Sequence, residues 1–363
     1  MFFSKKFNIV GLDIGSSSIK VGEIVDTKKG STLKNFGMTN IPPGVIEEGT
    51  IKDPEVAAET ISNLFKETGI KEHNIALSIG GFSIIVKNIS VQTMTEEELQ
   101  ETIQLEAEQY IPFDISDVNL DFQIVGENEH NPNQMDVILV AAKKEMVDDY
   151  FHVVQMAKLN PIILDVDAFA LQNIYEMNYY KTESPEESEE NTPDEGSIAL
   201  IDIGASKTSL NIIKGAASVF MRDVSLGCGQ INQKIISIAD CTPEESEQLK
   251  FSENPEKISK NDLIEITTSI VTDWCTEIRR ALDFFYSTYP EGHINKIVLS
   301  GGGANIKEFR DLLSVETSTD VETIDPFKNL DIDDSRFDPS YLEKVAPQAA
   351  ICMGLSIRRV DDK

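Results

Sequence analysis

The stretch "NIVGLDIGSSSIKVGEI", residues 8–24, ends an apolar run with an aspartate, a glycine and three serines. A second stretch, "SIALIDIGASKTSLNII" at residues 197–213, repeats this pattern and places Asp202 where the first has Asp13. The apolar, alternating segments around each turn predict a strand hairpin in each half of the chain. A repeated hairpin with an acidic turn predicts a duplicated α/β unit, and the natural binding site of such a unit is the cleft between its copies.

Composition excludes several classes of function. The chain has 363 residues, 40% of them hydrophobic, and a formal net charge of −30, which indicates about two folded domains. Nucleic-acid binding needs a basic face, and an anionic bilayer would repel so acidic a surface. No apolar run is long enough to span a membrane, and the dispersed cysteines and histidines lack the spacing of a zinc or redox motif. We expect a cytoplasmic protein that reaches a membrane only through a partner.

Helical and strand patterns alternate in the first half. The segment "DPEVAAETISNLFKETG" (53–69) predicts a helix with an acidic cap and a stop at Gly69. Two strands follow, and "TEEELQETIQLEAEQYI" (95–111) predicts a helix that begins with a capping box. Two further strands, a helix, a strand and a helix complete this half. The acidic segment at 182–197 predicts a solvated loop before the second hairpin.

The second half has a similar alternation. A third strand after the hairpin leads to helices at 231–239, at 242–250 and from Asn261 to about Ser287. The segment "INKIVLSGGGANIKEFRDLL" then reads as a strand, a glycine turn and a helix. The chain closes with "APQAAICMGLSI", which predicts a helix rich in small residues. Strands alternating with helices are typical of the α/β class.

Each acidic turn combines donors for phosphate with a carboxylate. A glycine lets the backbone N–H groups approach a ligand, and serine hydroxyls add further donors. An aspartate would repel phosphate unless a cation lay between them, so the pairing predicts Mg²⁺ held through water by Asp13 and Asp202. A single turn of this kind is equally typical of an ordinary strand-to-turn junction, but two copies at equivalent places favour a binding site. The glycine turn in "SGGGANIKEF" (300–309) either receives a ligand or is a tight strand–helix connection.

These motifs together resemble the actin and Hsp70 ATPase superfamily. "DIGSSSIK" and "DIGASKTS" resemble its two phosphate motifs, and "SGGGANIKEF" resembles its adenosine motif. "LDVDAFALQ" and "QAAICMGLSI" are similar to its two connecting helices, and "EQLK" (247–250) is similar to the Glu-x-x-Lys pair of the Hsp70 branch. The resemblance implies an α/β, actin-like ATPase fold with two duplicated RNase H-like lobes around a nucleotide cleft.

The segment after the first hairpin indicates the branch of this superfamily. Its strands and helices resemble the subdomain inserted in the division protein FtsA and, more closely, in the PilM family of type IV pilus assembly proteins. The segment "AEQYIPFDISDV" (107–118) carries the same resemblance. The implied first lobe (1A) comprises residues 1–30, 151–185 and 340–363. The remaining divisions are an inserted, partner-binding subdomain of the SHS2 type (1C) at 31–150, an acidic linker at 186–196, and a second lobe (2A) at 197–339 with a helical and β insertion (2B) at about 228–292.

The superfamily resemblance also implies which residues bind ATP and Mg²⁺. The metal would be held by Asp13 and Asp202. Residues expected at the β-phosphate are Gly15, Ser16, Ser17, Ser18 and Lys20; those expected on the γ-phosphate side are Gly204, Ser206 and Lys207; those expected at the adenosine are Gly301, Gly302, Gly303, Glu247 and Lys250. The last two residues fit an exposed i,i+3 ion pair on a helix equally well.

Asp165 stands where chaperone relatives place a glutamate that orients the attacking water. An aspartate is one methylene shorter, and a positioning error of about 1 Å can lower a rate by on the order of a hundredfold. We therefore expect ATP binding with at most slow hydrolysis, and a nucleotide-dependent scaffold rather than a vigorous enzyme.

The resemblance implies a role in pilus biogenesis and twitching motility. The expected protein is cytoplasmic, peripheral at the inner membrane, and bound to the N-terminal cytoplasmic tail of the membrane protein PilN. Other pilus platform components, the assembly motor and self-association stay open as further contacts. The alternatives are an FtsA-like division protein, which would need a C-terminal amphipathic helix where this chain has "SIRRVDDK", and a small-molecule kinase of the same superfamily.

Overall fold

The structure is a computed structural model of the chain. The residues that it describes are 8–28, 30–128, 131–180, 196–252, 257–290 and 292–360. The predicted acidic linker, residues 186–196, lies outside the described residues except for Gly196.

The described residues form strands and helices in alternation. The strands are β1 (Val10–Ile14), β2 (Ser18–Thr27), β3 (Gly30–Asn40), β4 (Ile46–Glu47), β5 (Thr50–Ile51), β6 (Asn74–Ile79), β7 (Ile84–Gln92), β8 (Val118–Glu127), β9 (Gln134–Lys143), β10 (Asn160–Val166), β11 (Ser197–Ile203), β12 (Thr208–Lys214), β13 (Ala217–Val224), β14 (Ile294–Ser300) and β15 (Asp320–Thr323). The helices are α1 (Pro54–Thr68), α2 (Glu96–Ala107), α3 (Lys144–Met156), α4 (Asp167–Tyr179), α5 (Gly229–Ala239), α6 (Pro243–Lys250), α7 (Lys260–Thr288), α8 (Lys307–Thr317) and α9 (Pro339–Ser356).

Two five-stranded sheets have the same topology. Their strand orders are β3-β2-β1-β6-β10 and β13-β12-β11-β14-β15. In each sheet three antiparallel strands from a repeated hairpin segment precede two strands that join in parallel. The parallel strands need crossover connections, which the helices supply. The α/β fold class and the duplicated lobes predicted from the sequence are confirmed.

Helices α4 and α9 lie between the two sheets and join the lobes. Ala170 and Ile174 of α4 and Met353 of α9 share one buried cluster with Ala76 of the first sheet and Leu200 of the second. On the outer faces, α1 and α3 cover the first sheet, whereas α5, α7 and α8 cover the second. Both central strands are therefore buried on two faces, which explains why β1 consists of five buried residues.

Local signals set several helix boundaries. Asp53 caps α1 by accepting from the N–H of Val56, and Gly69 ends it in the left-handed conformation. The predicted capping box of α2 is present, because Thr95 and Glu98 exchange their hydrogen bonds. Helix α9 begins seven residues before the predicted segment, at Pro339.

A separate three-stranded sheet, β7-β9-β8, packs against α2. We call Ile84–Lys143, which contains these elements, the inserted sheet. The predicted subdomain at 31–150 is broader, because β3 and β6 pair with strands of the first sheet and α1 packs on that sheet. We propose the narrower bounds for the inserted unit; the other divisions of the chain stay predictions. In the described part of the interval 228–292 the structure has α5, α6 and α7 but no strand.

Candidate functional site

The first acidic turn joins β1 to β2 at the edge of the cleft. The N–H of Gly15 donates to the carbonyl oxygen of Ser18 at 3.1 Å and closes the turn. Asp13 and Lys20 are register partners on the two strands, and their side chains form an ion pair of 3.0 Å. Ser17 is exposed at the tip of the turn, whereas the side chain of Ser18 is buried. The turn thus presents hydroxyl groups beside a paired carboxylate and ammonium.

The second turn, between β11 and β12, has the same closure. The N–H of Gly204 donates to the carbonyl oxygen of Lys207 at 2.9 Å. Asp202 accepts a hydrogen bond of 2.6 Å from the hydroxyl of Ser300, at the end of the neighbouring strand β14. The loop before α5 supports the turn, since the N–H of Gly229 donates to the carbonyl oxygen of Ala205.

The two turns meet across the cleft. The hydroxyl oxygens of Ser16 and Ser206 lie 3.1 Å apart and form a hydrogen bond between the lobes. Asp13 and Asp202 occupy equivalent positions in the two hairpins. The contact between the turns therefore places them on opposite sides of the cleft. The sequence pattern predicted that both turns serve a single site, and the structure brings them together.

Asp167 is a cleft residue that the sequence analysis missed. It is the first residue of α4, and its carboxylate accepts from the Ser78 hydroxyl at 2.7 Å. Its other oxygen forms an ion pair of 2.7 Å with Lys207, which belongs to the opposite lobe. A signal was present in the sequence, because an acid that directly follows a parallel strand lies at the carboxyl edge of the sheet, where ligands bind.

The Asp165 carboxylate contacts the backbone beside it and the segment after α9. One carboxylate oxygen of Asp165 accepts from the N–H of Val166, and the other lies 3.4 Å from Nε of Arg358, beyond the end of α9. Asp167, which contacts Lys207 of the predicted γ-phosphate turn, is a second candidate for the water-orienting role predicted for Asp165.

Burial and charge shift the ionisation of the cleft acids. Burial raises the pKa of Asp202 to about 6, against the hydrogen bond from Ser300 and the charge of Lys207. Burial also raises the pKa of Asp13, and the Lys20 ammonium limits that rise. For Asp167 burial is again the largest effect, but Lys207 and the Ser78 hydroxyl outweigh it and lower the pKa. Asp167 is thus the most firmly ionised acid of the three.

The predicted adenosine turn packs on the second acidic turn. Gly301 has a φ of 80°, which an L side chain rarely adopts, and a Cβ there would lie 2.4 Å from the carbonyl oxygen of Ile203. A Cβ on Gly303 would overlap the Ile203 side chain and lie 3.4 Å from Sγ of Cys228. A Cβ on Gly302 would lie 3.6 Å from Nε2 of Gln348.

Glu247 and Lys250 form the i,i+3 ion pair on α6, with 2.7 Å between Oε2 and Nζ. Lys250 is not exposed, because its side chain keeps only 4% of its accessible surface. Asn232 of α5 donates to the same Glu247 oxygen at 2.7 Å. The charges of both residues and of Asp202 act on the buried Cys228 thiol, so the pair lies near the adenosine turn.

The donor set of the cleft fits Mg²⁺ held through water. The described residues contain no group of three or more His, Cys, Asp or Glu side chains that could hold a metal ion. Mg²⁺ usually retains several waters and is bound by one or two carboxylates together with phosphate oxygens. Asp13 and Asp202 supply two such carboxylates from opposite sides of the cleft, so an ion there would depend on phosphate and water for its other ligands.

A family model described as "Type IV pilus assembly protein PilM" matches residues 11–360. The solved structure titled "PilM-PilN type IV pilus biogenesis complex" is 25% identical, with a TM-score of 0.84, over 98% of this chain and 100% of that chain.

Two more distant structures share the fold. The ethanolamine utilization protein EutJ from Carboxydothermus hydrogenoformans is 13% identical, with a TM-score of 0.57, over 96% of this chain and 89% of that one. MreB 5 of Spiroplasma citri bound to AMPPNP is 11% identical, with a TM-score of 0.50, over 98% of this chain and 96% of that one.

Proposed function

This chain belongs to the type IV pilus assembly protein PilM family, and from that membership we propose that it binds ATP with Mg²⁺ between its lobes and holds the membrane protein PilN. In this role it is an actin-like scaffold whose nucleotide state fixes the relative position of its lobes. Among the described residues no helix combines the length and apolar character needed to cross a bilayer. Because the chain belongs to this family, we propose that it is attached at the inner membrane through PilN.

The contact between the two acidic turns carries the nucleotide proposal. Ser16 and Ser206 meet at 3.1 Å, with Asp13, Asp202 and Lys207 around them. Backbone N–H groups and hydroxyls in tight turns suit phosphate oxygens, and the acids suit a hydrated cation. A triphosphate bound beside this contact would reach both turns and stabilise the closed arrangement of the lobes.

Asp167 is the residue that we propose orients a water for hydrolysis. Bound Mg²⁺ would supply charge neutralisation at the phosphates. The Asp167 carboxylate already accepts from Ser78 and Lys207, so its position is fixed but its remaining acceptor capacity is reduced. We infer that hydrolysis is slow and that bound ATP is long-lived, which suits a scaffold.

A titration with a fluorescent ATP analogue and Mg²⁺ tests the cleft. Wild type should bind, and Asp13→Asn and Asp202→Asn should weaken binding at least about tenfold, because each loses a charge that attracts the metal. Asn keeps the side-chain shape and an acceptor for Lys20. Asp149→Ala, on the exposed face of α3, is the control and should bind as wild type. Equal binding by all four proteins, or binding by none, would contradict the proposal.

We place the PilN tail at a groove of the inserted sheet. This groove has a volume of about 450 Å³ between α2 and β8. It is lined by Gln100, Ile103, Gln104, Ile115, Ser116, Val118, Asn119, Leu120 and Lys144. Four of these residues are apolar and five are polar, so the groove offers both apolar contact and hydrogen-bonding groups to a bound peptide. The Lys144 ammonium donates to the Ser116 carbonyl oxygen across one end.

A pull-down with the PilN cytoplasmic tail as bait tests this assignment. Gln104→Trp should fill the groove and abolish capture, whereas Glu101→Trp, on the same helix but outside the groove, should leave capture intact. Capture by both variants would place the tail elsewhere. Failure of wild type to be captured would contradict the scaffold function itself. Family membership favours this function over a division protein or a small-molecule kinase.

A further inference from the structure

The inserted sheet contacts the second lobe directly, although its chain leaves and returns to the first. Asn88 of β7 donates from Nδ2 to the carbonyl oxygens of Ser218 at 2.9 Å and Val219 at 3.1 Å. Both acceptors lie on β13, the edge strand of the second sheet. The N–H of Gly81, just before β7, donates to the Asp223 carboxylate of β13 at 3.0 Å. We call these contacts of Asn88 and Gly81 with β13 the latch.

A chain of polar contacts runs from the latch towards the cleft. Ser218 donates its hydroxyl to Oδ1 of Asn211 at 2.6 Å, inside the second lobe. Asn211, which is 1% exposed, donates to the carbonyl oxygen of Ala168 at 3.4 Å and to Gln172 at 3.3 Å. Ala168 follows Asp167 on α4, so the residue that accepts from Asn88 is joined to the start of the helix that carries the cleft acid.

A second route runs through Gly80. A Cβ on this residue would lie 2.0 Å from Nζ of Lys207 and 2.2 Å from the carboxylate of Asp167, so the backbone that leads into β7 rests on the interlobe ion pair. The charge of Asp223, the acceptor of Gly81, also acts on Lys207. A change in the separation of Lys207 and Asp167 must therefore move the segment that begins the inserted sheet, because packed groups have little room to deform independently.

We propose that Asn88 is a positioning residue of the nucleotide cleft, and that the latch makes the inserted sheet report whether the two lobes are closed. The proposal rests on the proposed ATP binding and deepens it. Lys207 has three N–H donors and uses one for Asp167, so phosphate can bind it while the interlobe pair persists. Closure by ATP then tightens the latch, and by thermodynamic reciprocity the latch strengthens ATP binding.

Hydrogen exchange and nucleotide titration on the full chain test this coupling. With a non-hydrolysable ATP analogue and Mg²⁺, exchange in wild type should slow in residues 80–92 and 217–224 as well as in the turn at 13–20. Asn88→Ala should weaken analogue binding about fivefold, which corresponds to about 1 kcal/mol of coupling. It should also lose the protection at 80–92 and 217–224 while the turn at 13–20 stays protected.

Two variants separate positioning from a loss of stability. Ser90→Ala is the control, because Ser90 lies two residues along the same strand and bonds to Asp136 inside the inserted sheet; it should bind and exchange as wild type. Asn88→Gln retains an amide donor and should recover part of the affinity and of the protection. Both positions are exposed in the strand, so unfolding is not expected.

The outcomes distinguish this inference from the proposed function. Failure of wild type to bind the analogue contradicts ATP binding and the coupling with it. Binding by wild type and Asn88→Ala with equal affinity and equal protection at 217–224 overturns the latch alone and leaves ATP binding intact. A fivefold loss in Asn88→Ala that Ser90→Ala reproduces also overturns it, because the effect would then belong to the strand and not to the contact with β13.

Discussion

At the scale of single residues, the cleft lysines are both paired with aspartates. Lys20 contacts Asp13 within the first lobe, whereas Lys207 reaches across to Asp167 of the opposite lobe. An ammonium has three donors, so each lysine keeps capacity for phosphate oxygens. Of these two lysines, Lys207 is therefore the one whose ion pair links the lobes.

Replacing Lys207 with Gln should lower the affinity for ATP more than the affinity for ADP. A hydrogen bond to a charged group contributes about 1.5–3 kcal/mol, so affinity for ATP should fall at least about tenfold. ADP lacks the γ-phosphate and should change much less. Calorimetric titration with both nucleotides measures the difference. The control is Lys214→Gln, at the exposed end of β12, the strand that follows Lys207. An equal loss for ATP and ADP would remove Lys207 from the γ-phosphate side.

Nucleotide binding should weaken as the pH falls through about 6. Burial raises the pKa of Asp202 to about 6 from the ordinary 3.8, so below that pH the side chain is neutral and attracts Mg²⁺ less. Titrations at constant Mg²⁺ between pH 5 and 8 should show the loss in wild type. Asp202→Asn retains the pH dependence of the nucleotide and of Asp13, whose pKa is also raised, so its affinity should fall less with pH than that of wild type. Identical slopes in the two proteins would be inconsistent with this assignment.

The ionised Asp202 carboxylate should favour nucleotide binding but lower the stability of the protein without nucleotide. Between about pH 3.8 and 6 the folded state takes up a proton that the unfolded state lacks, so an ionised Asp202 destabilises the free protein above that range. Asp202→Asn should therefore raise the free energy of unfolding at pH 7.5 by on the order of 1 kcal/mol. Denaturant unfolding without nucleotide measures it, and a loss of stability would mean that the Asp202 charge is well compensated.

The sequence pattern predicted most of the residues that the structure brings to the cleft, but it did not predict Asp167. Asp13 and Asp202 could be found because each ends a buried strand within a repeated motif. Asp165 and Asp167 stand two residues apart in one segment, and the acid that directly follows the strand is the one expected at the carboxyl edge of the sheet. The choice depends on where β10 ends and α4 begins, and helix boundaries are the least certain part of a pattern.

At the scale of elements, helix α9 lies unusually close to β1. A Cβ on Gly11 would lie 2.2 Å from the carbonyl oxygen of Cys352 and 2.5 Å from the Ser356 hydroxyl. Gly11 pairs with Gly22 on β2, and the Ser356 hydroxyl donates to the Gly22 carbonyl oxygen at 2.9 Å. Because neither glycine has a side chain, α9 contacts the backbone of the sheet directly at this place.

Gly11→Ala should therefore destabilise the fold. The methyl group would displace α9, and overpacking of this kind typically costs about 1–3 kcal/mol. Gly126→Ala is a matched control on β8, because a Cβ there meets nothing within 4 Å. Chemical denaturation should show the loss only in Gly11→Ala. Equal stabilities would indicate that α9 can move away from the sheet at little cost.

Whether a segment forms a helix or a strand was easier to predict than which strands pair with each other. The alternation of helices and strands follows from local periodicity and caps, and α1 and α2 begin within a residue or two of the predicted starts. Local patterns do not show that β6 joins the first sheet whereas β7, five residues later, belongs to the inserted sheet. Strand pairing depends on contacts between distant segments. The predicted subdomain at 31–150 therefore combined strands of the first sheet with the inserted sheet.

At the scale of the whole molecule, the duplication explains why the chain makes the same turn twice. The two sheets have matching strand orders, so equivalent turns lie at equivalent edges and meet where the lobes face each other. The inserted sheet interrupts only the first copy and contacts the second through Asn88. A ligand bound at the turns can thus act on the position of the inserted sheet, where we propose that the partner binds.

The most direct test of this account is a crystal structure with a non-hydrolysable ATP analogue and Mg²⁺. It should show the triphosphate between the turns at 13–18 and 202–207, with the Asp13 and Asp202 carboxylates directed at the hydrated metal. A nucleotide bound elsewhere, or either carboxylate turned away from the metal, would contradict a site shared by the two lobes.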